Sequence, residues 1–360
     1  MISSSSVSRR LLLQRAAAAG LISYILPTRT WAQDKSSCEV FVWSDWDRPQ
    51  FFSSYVKRYG EPKFSIFGDE DEALGKLRTG YRPDATQFCS YKINAFKAAD
   101  VLQPIDVGRL SNWAGLVPYL KDLPEAVIEG NRYWVPNDWG TTAITYRADL
   151  CQPAEESWSL LWDERYSGRL AIFDSIVDGV MVAAIMAGAA DPFAMNADEV
   201  ARTEELLRRQ RPLLRYYAAS QTDVVNGLAS GEIVAATTWQ SGFALLAQQG
   251  LDVRFMRPRE RPMTWVCGIG IVKDTPENKL DEVYALIDSV LSIETGLALI
   301  ESFGHGAAQA ASFDLASDEL LASKGLARDP QAYLSSGILQ RPVANQEELT
   351  MMFDRIKSGL

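Results

Sequence analysis

Trp43-Ser44-Asp45-Trp46-Asp47 places two indole rings, a hydroxyl and two carboxylates in one short segment. It continues the run Cys38 to Trp43 (CEVFVW), whose β-branched and aromatic residues read as a strand. Aromatic faces beside a carboxylate suit an organic cation: the rings attract it through their quadrupoles and the acid compensates its charge. The same segment also suits a surface turn with a Trp packed beneath it. A second cluster, Phe173-Asp174-Ser175-Ile176-Val177-Asp178, lies between a strand-like run, Leu170 to Phe173, and an apolar helix, Val180 to Ala187. Asp and Ser are preferred helix caps, but capping needs only one of them. A carboxylate is left over for a ligand, and Asp178 is the candidate. Trp239 and Trp265 each follow an apolar or strand-like run. Either alone reads as core; together at strand ends they point to a ligand.

Other reactive groups are sparse. His305 is the only histidine, and Cys38, Cys89, Cys151 and Cys267 are far apart. With no CxxC or HxxxH spacing, zinc chemistry is excluded, and no metal or cofactor is expected. Cys89 or Cys267 with His305 supplies the parts of a secreted cysteine hydrolase. No family signature surrounds them and no Gly-x-Ser-x-Gly elbow occurs, so the chain is not expected to be an enzyme. Cys38 and Cys151 are available to pair in an oxidising compartment, although spacing does not decide pairing.

The elements that must position these residues alternate. Strand signals at Lys63 to Phe67 and Ala85 to Phe88 are interleaved with helical ones at Asp69 to Arg78 and Tyr91 to Ala99. The pattern repeats with a helix at Ala197 to Arg209, strands at Ile233 to Trp239 and Ile269 to Val272, and a helix at Leu280 to Leu291. Such alternation predicts an α/β fold with a mostly parallel sheet. At 360 residues the chain is long enough for about two domains. No long linker divides it, so the chain is expected to cross between domains more than once. Apolar residues at 47% exclude a disordered chain, and a net charge of −10 without a long basic run argues against nucleic-acid binding.

The first 32 residues differ from the rest. They hold Arg9, Arg10, Arg15 and Arg29 and no acid, then an apolar run from Ala16 to Leu26, then Thr30-Trp31-Ala32. This order is that of a secretory signal cleaved near Ala32. Ser8-Arg9-Arg10-Leu11-Leu12-Leu13 resembles a bacterial twin-arginine signal.

From Cys38 to Leu360 the chain resembles the periplasmic spermidine/putrescine-binding proteins of bacterial ABC importers. The likeness is carried by VWSDW at 42–46, PNDWGTTAITY at 136–146, SWSLLWDERYSGRLAIFD at 157–174, TTWQSG at 237–242 and TWVCGIGIV at 264–272. The pattern Trp-x-x-Leu-Trp with a following Tyr-x-Gly is the most specific of these. The resemblance implies a two-lobed, type II-like periplasmic binding protein fold with the ligand cleft between the lobes. One lobe would be 33–141 plus 266–311, the other 142–265 plus 312–360, with crossings near Trp139–Thr142, Trp265–Gly268 and residue 311. It implies no catalysis. The expected partners are a small cationic amine and an inner-membrane permease, without nucleic acid, and the expected state is a monomer.

The family's binding positions carry over to Trp43, Ser44, Asp45 and Trp46, with Cys89 where a Ser usually stands and Tyr91 at a ring position. Ser175 replaces an acid and Asp178 keeps one. Trp239 and Trp265 match the rings that sandwich the alkyl chain. Cys267 stands in place of an amine-binding Asp, His305 in place of a Tyr, and Gln340 at a polar pocket position. Two acids are thus missing. A buried ammonium without a partner is costly, so the resemblance implies a ligand with fewer positive charges than a triamine: a diamine, a monoamine or a zwitterionic ω-amino acid. A ferric or organic-anion ligand on the same fold is disfavoured by the absent Tyr pair and by the acids at the site.

Overall fold

The computed structural model describes residues 37–360. The expected leader, residues 1–32, lies outside the described residues.

The spine of the molecule is a twelve-stranded sheet. Its main strands are β1 (Glu39–Trp43), β2 (Lys63–Phe67), β3 (Ala85–Cys89), β4 (Val135–Arg147), β5 (Leu170–Phe173), β6 (Leu214–Ala218), β7 (Ala235–Trp239) and β8 (Met263–Val272). They run in the order β2-β1-β3-β8-β4-β7-β5-β6. At one end β1 pairs in parallel with β2 and β3; at the other β5 pairs in parallel with β6 and β7. Between these wings β8 and β4 lie antiparallel to each other and to their neighbours β3 and β7. Within the wings β3 and β5 are buried along their whole length, as strands covered by helices on both faces must be, while the edge strands β2 and β6 are partly exposed.

Local chemistry fixes the helices. α1 (Glu70–Arg78) is capped by Asp69, whose carboxylate accepts the Asp71 and Glu72 N–H groups. Acids at its start and Lys76 and Arg78 at its end follow the helix dipole. α2 (Ala197–Gln210) begins with a capping box between Asn196 and Glu199, a device worth about 1 kcal/mol.

Two large apolar cores divide the chain, with a smaller cluster drawn from Ala171 to Val253. The first gathers Cys38 to Trp139 and Val266 to Leu334; the second gathers Ala143 to Met263 and Leu349 to Ile356. The chain therefore passes between cores three times: within β4, within β8, and between Leu334 and Leu349. The last passage is not near residue 311. Phe313 stacks on the buried Trp139 ring with centroids 6.0 Å apart, and Tyr333 packs on the same ring at 5.4 Å, which holds this stretch in the first core.

β4 is the longest strand described and carries buried Asn137, Asp138, Thr141, Thr142 and Thr145. Gly140 is required there: a Cβ would stand 2.1 Å from Cζ2 of Trp265, whose ring lies across it. A bulge at Asn137 shifts the register, so that Asp138 faces Cys267 while Pro136 faces Gly268.

The first residue of α1, Glu70, is buried and accepts the Cys89 N–H at 2.6 Å. Burial pushes its carboxyl up to about 7, against the lowering effect of bonds from Tyr91 and the Cys89 backbone. The unfolded chain loses this proton at ordinary glutamate pH, whereas the folded chain keeps it until about 7. Glu70 therefore withdraws stability as pH rises through that interval. Relative to wild type, Glu70→Gln should gain melting temperature across the same interval and gain nothing further above it. Parallel melting profiles for the two proteins would contradict this.

Candidate ligand cleft

The ladder registers build the floor of the site. Cys89 lies opposite Cys267, and Cys267 opposite Asp138. Two residues further along the central pair, Trp265 lies opposite Gly140; after two more, Met263 faces Thr142 and Thr142 faces Trp239. Opposed residues share a sheet face, and side chains alternate along each strand. One face therefore presents three successive rows: Cys89, Cys267 and Asp138; then Trp265 over Gly140; then Thr142 and Trp239.

Above this face is a cavity of about 280 Å³. Of the expected residues, Trp43, Asp45, Trp46, Cys89, Tyr91, Asp178, Trp239, Trp265, Cys267, His305 and Gln340 line it. Ser44 is exposed and does not line it. Nor does Ser175, which instead caps the helical turn Ile176–Val180 by accepting the Asp178 N–H at 3.3 Å. The sequence reading missed Asp138, Gln221, Thr222 and Ser241, which also line the cavity. PNDWG at 136–140 held the signal for Asp138, the lone acid of its strand; the others have no local signature.

Each wall is held from behind. Trp43 packs on Phe67 and donates its backbone N–H to Gln87. Buried Trp46 packs on Phe51. Gln221 brackets Trp239, accepting its N–H at 3.2 Å and donating to its carbonyl at 3.3 Å. The Trp265 ring meets His305 edge-on, with centroids 4.8 Å apart. The indole N–H groups of Trp43 and Trp265 have no acceptor among the described residues.

Asp178 is buried, and its Oδ1 accepts from Thr142 Oγ1 and Gln340 Nε2, both at 2.7 Å. Burial raises its carboxyl above the ordinary aspartate range, although the bonds from Thr142, Gln340 and Ser175 oppose this. Gln340 lies on the last passage between cores, with its backbone bonded to Thr264 and to Ser90 Oγ. Asp138 is also buried; its Oδ2 lies 2.9 Å from His305 Nδ1. Burial raises its carboxyl too, the His305 contact lowers it, and the charge of Asp45 adds to the rise.

The thiols do not behave as a nucleophile requires. Cys89 and Cys267 are joined in a disulfide, so neither is available to His305, which is turned to Asp138 instead. The hydrolase reading fails on this geometry. Cys38 and Cys151 are unpaired and sit in different cores, so they do not pair with each other. Burial pushes the first up to about 12 and the second to about 11, which leaves both inert at neutral pH.

The cavity thus has acids at Asp45, Asp138 and Asp178, walls of Trp, and no Lys or Arg in its lining. Such a box favours a cation with an apolar body and disfavours an anion.

Comparison with known proteins agrees with this chemistry. A putrescine/agmatine-binding protein of Pseudomonas aeruginosa is 28% identical over 91% of this chain and 94% of its own length. The putrescine-binding periplasmic protein PotF of Escherichia coli is 25% identical over 92% of this chain and 94% of its own length. The fold matches that of the spermidine/putrescine ABC transporter substrate-binding protein PotD of Streptococcus pneumoniae, with a TM-score of 0.76 at 18% identity, over 89% of this chain and 97% of that one. The chain therefore has the two-lobed architecture of periplasmic binding proteins. The family described as bacterial extracellular solute-binding protein matches residues 65–330, and with that match across most of its length the chain belongs to this family of binding proteins.

Proposed function

We propose that the protein is the periplasmic receptor of an ABC importer and captures a small aliphatic amine for the membrane permease. The observation that carries this reading is Asp178, a buried carboxylate without a cationic partner at the edge of a cavity walled by Trp43, Trp239 and Trp265. An ammonium supplies the missing charge, and the rings cover the alkyl chain. The names of the two relatives support the same ligand class. On this reading one lobe comprises 37–139 and 266–334, the other 143–263 and 349–360. Ligand held between them closes the cleft in the manner of a hinged trap, and the protein acts as a monomer.

A second reading is a zwitterionic ω-amino acid. The unpaired indole N–H groups of Trp43 and Trp265 favour it, because they are donors to which a carboxylate could bond. The acidic lining opposes it.

A thermal-shift series with putrescine, agmatine and 4-aminobutyrate separates the two. The true ligand at 100 times its dissociation constant should add about 2.7 kcal/mol to stability. Trp265→Ala should weaken that binding by roughly 1–3 kcal/mol through lost ring contact and cation attraction. Stabilisation by none of the amines, or unchanged affinity in a folded Trp265→Ala protein, would sink the reading.

We further propose export through the twin-arginine route, on the basis of Arg9-Arg10 and the acid-free leader. Periplasmic protein should begin near Gln33, and replacing both arginines by lysine should leave the chain inside the cell. Export that survives this change would contradict the route.

A further inference from the structure

Cys267 is half of a disulfide and brings no charge to the cavity. Directly across the ladder from Cys267 stands Asp138. We propose that Asp138, oriented by His305, receives a second ammonium group of the ligand, so that the site selects an amine charged at both ends. This rests on the amine reading above and adds the residue that sets its specificity.

Four observations converge on it. Asp138 is 2% exposed, yet its Oδ1 has no partner among the described residues, while Oδ2 is committed to His305. A buried carboxylate oxygen left unpaired is costly unless something enters to meet it, and Asp138 lines the cavity. Second, Asp45 is near enough for its charge to act on Asp138. Two acids without a cation form a pole that an ammonium relieves.

Third, the spacing suits a diamine. Asp138 and Thr142 lie four residues apart on the same face of β4, roughly 13 Å along the strand. Thr142 carries Asp178 at 2.7 Å. A ligand that meets both acids therefore needs an alkyl spacer between its two ammonium groups. Trp265 lies between the two poles, where the alkyl chain would pass.

Fourth, the Asp138–His305 contact is not needed to dock its segment. The backbone of Gly306 and Ala307 already pairs with Trp139 and Asp138. His305 is fixed by Trp265 and Phe303, whose ring centroids lie 4.8 and 5.1 Å away. It is a positioning residue: it sets which oxygen of Asp138 faces the cavity. The charged and titratable side chains that line the cavity are Asp45, Tyr91, Asp138, Asp178 and His305, so no Lys or Arg competes for the pole, and His305 engages only Oδ2 of Asp138.

The test is calorimetry at neutral pH with putrescine and with butylamine, its counterpart lacking one ammonium. Wild type should bind putrescine at least about thirtyfold more tightly than butylamine. Asp138→Asn should remove most of that advantage while changing butylamine affinity by no more than about twofold, since the Asp178 pole is intact. Adding Cys89→Ser and Cys267→Asp to Asp138→Asn should restore the preference for putrescine, because the acid returns one strand away. Binding of both amines by wild type with equal affinity overturns this inference and leaves the amine reading standing. So does an Asp138→Asn protein that keeps the wild-type ratio or loses both ligands alike. Binding of neither amine overturns both. If Asp138→Asn does not fold, the wild-type ratio and the ratio in His305→Asn decide: a ratio near one in wild type, or one unmoved in His305→Asn, counts against the pole.

Discussion

The antiparallel pairing of β4 with β8 is the constraint on which the rest depends. Both strands begin in one core and end in the other, so their ladder joins the two halves of the molecule. It also forms the floor of the cleft. Register in a ladder is set by period-two alternation, and a slip of one residue would turn every side chain to the opposite face. A slip of β4 would turn Asp138 away from the cavity and Thr142 away from Asp178 together. The fit of the Trp265 ring over Gly140 opposes it, because no other residue type leaves room for the ring there.

The electrostatics of the cleft follow from that floor. Asp178 and Asp138 are buried, and burial raises both carboxyls. Hydrogen bonds from Thr142 and Gln340 offset part of the cost at Asp178, and His305 does so at Asp138. No Lys or Arg in the lining completes the compensation. The cleft thus offers a cation incompletely compensated charge, while the Trp walls provide contact for an apolar chain. Gln340 joins this arrangement to the last passage between cores: its side chain bonds Asp178 and its backbone bonds Thr264.

Much of this was legible in the sequence because it is local. The strand ending at Trp43, the acid-first and base-last pattern of α1, and the capping cluster before Asp178 each lie within a few residues. β4 was not legible as a strand. Its buried Asn137, Asp138, Thr141 and Thr142 break the apolar signal, and their partners come from distant segments such as Gln240 and Asp178. Asp138 was overlooked for the same reason, since its role depends on a cross-strand register. The Cys89–Cys267 bond spans 178 residues and leaves no local mark. Ser175 shows the same limit: one hydroxyl serves equally well as a cap or a ligand group, and here it caps the turn before Asp178.

The central claim is that buried carboxylates in this cleft meet the ligand's positive charge. Proton exchange during putrescine binding tests it most directly, measured by calorimetry in buffers of different ionisation enthalpy from neutral to mildly acidic pH. A carboxyl raised by burial is partly protonated as pH falls, and an arriving ammonium expels that proton. Proton release that grows as pH is lowered from neutral is the expected result. Putrescine binding with no proton release at any pH in that range would contradict it.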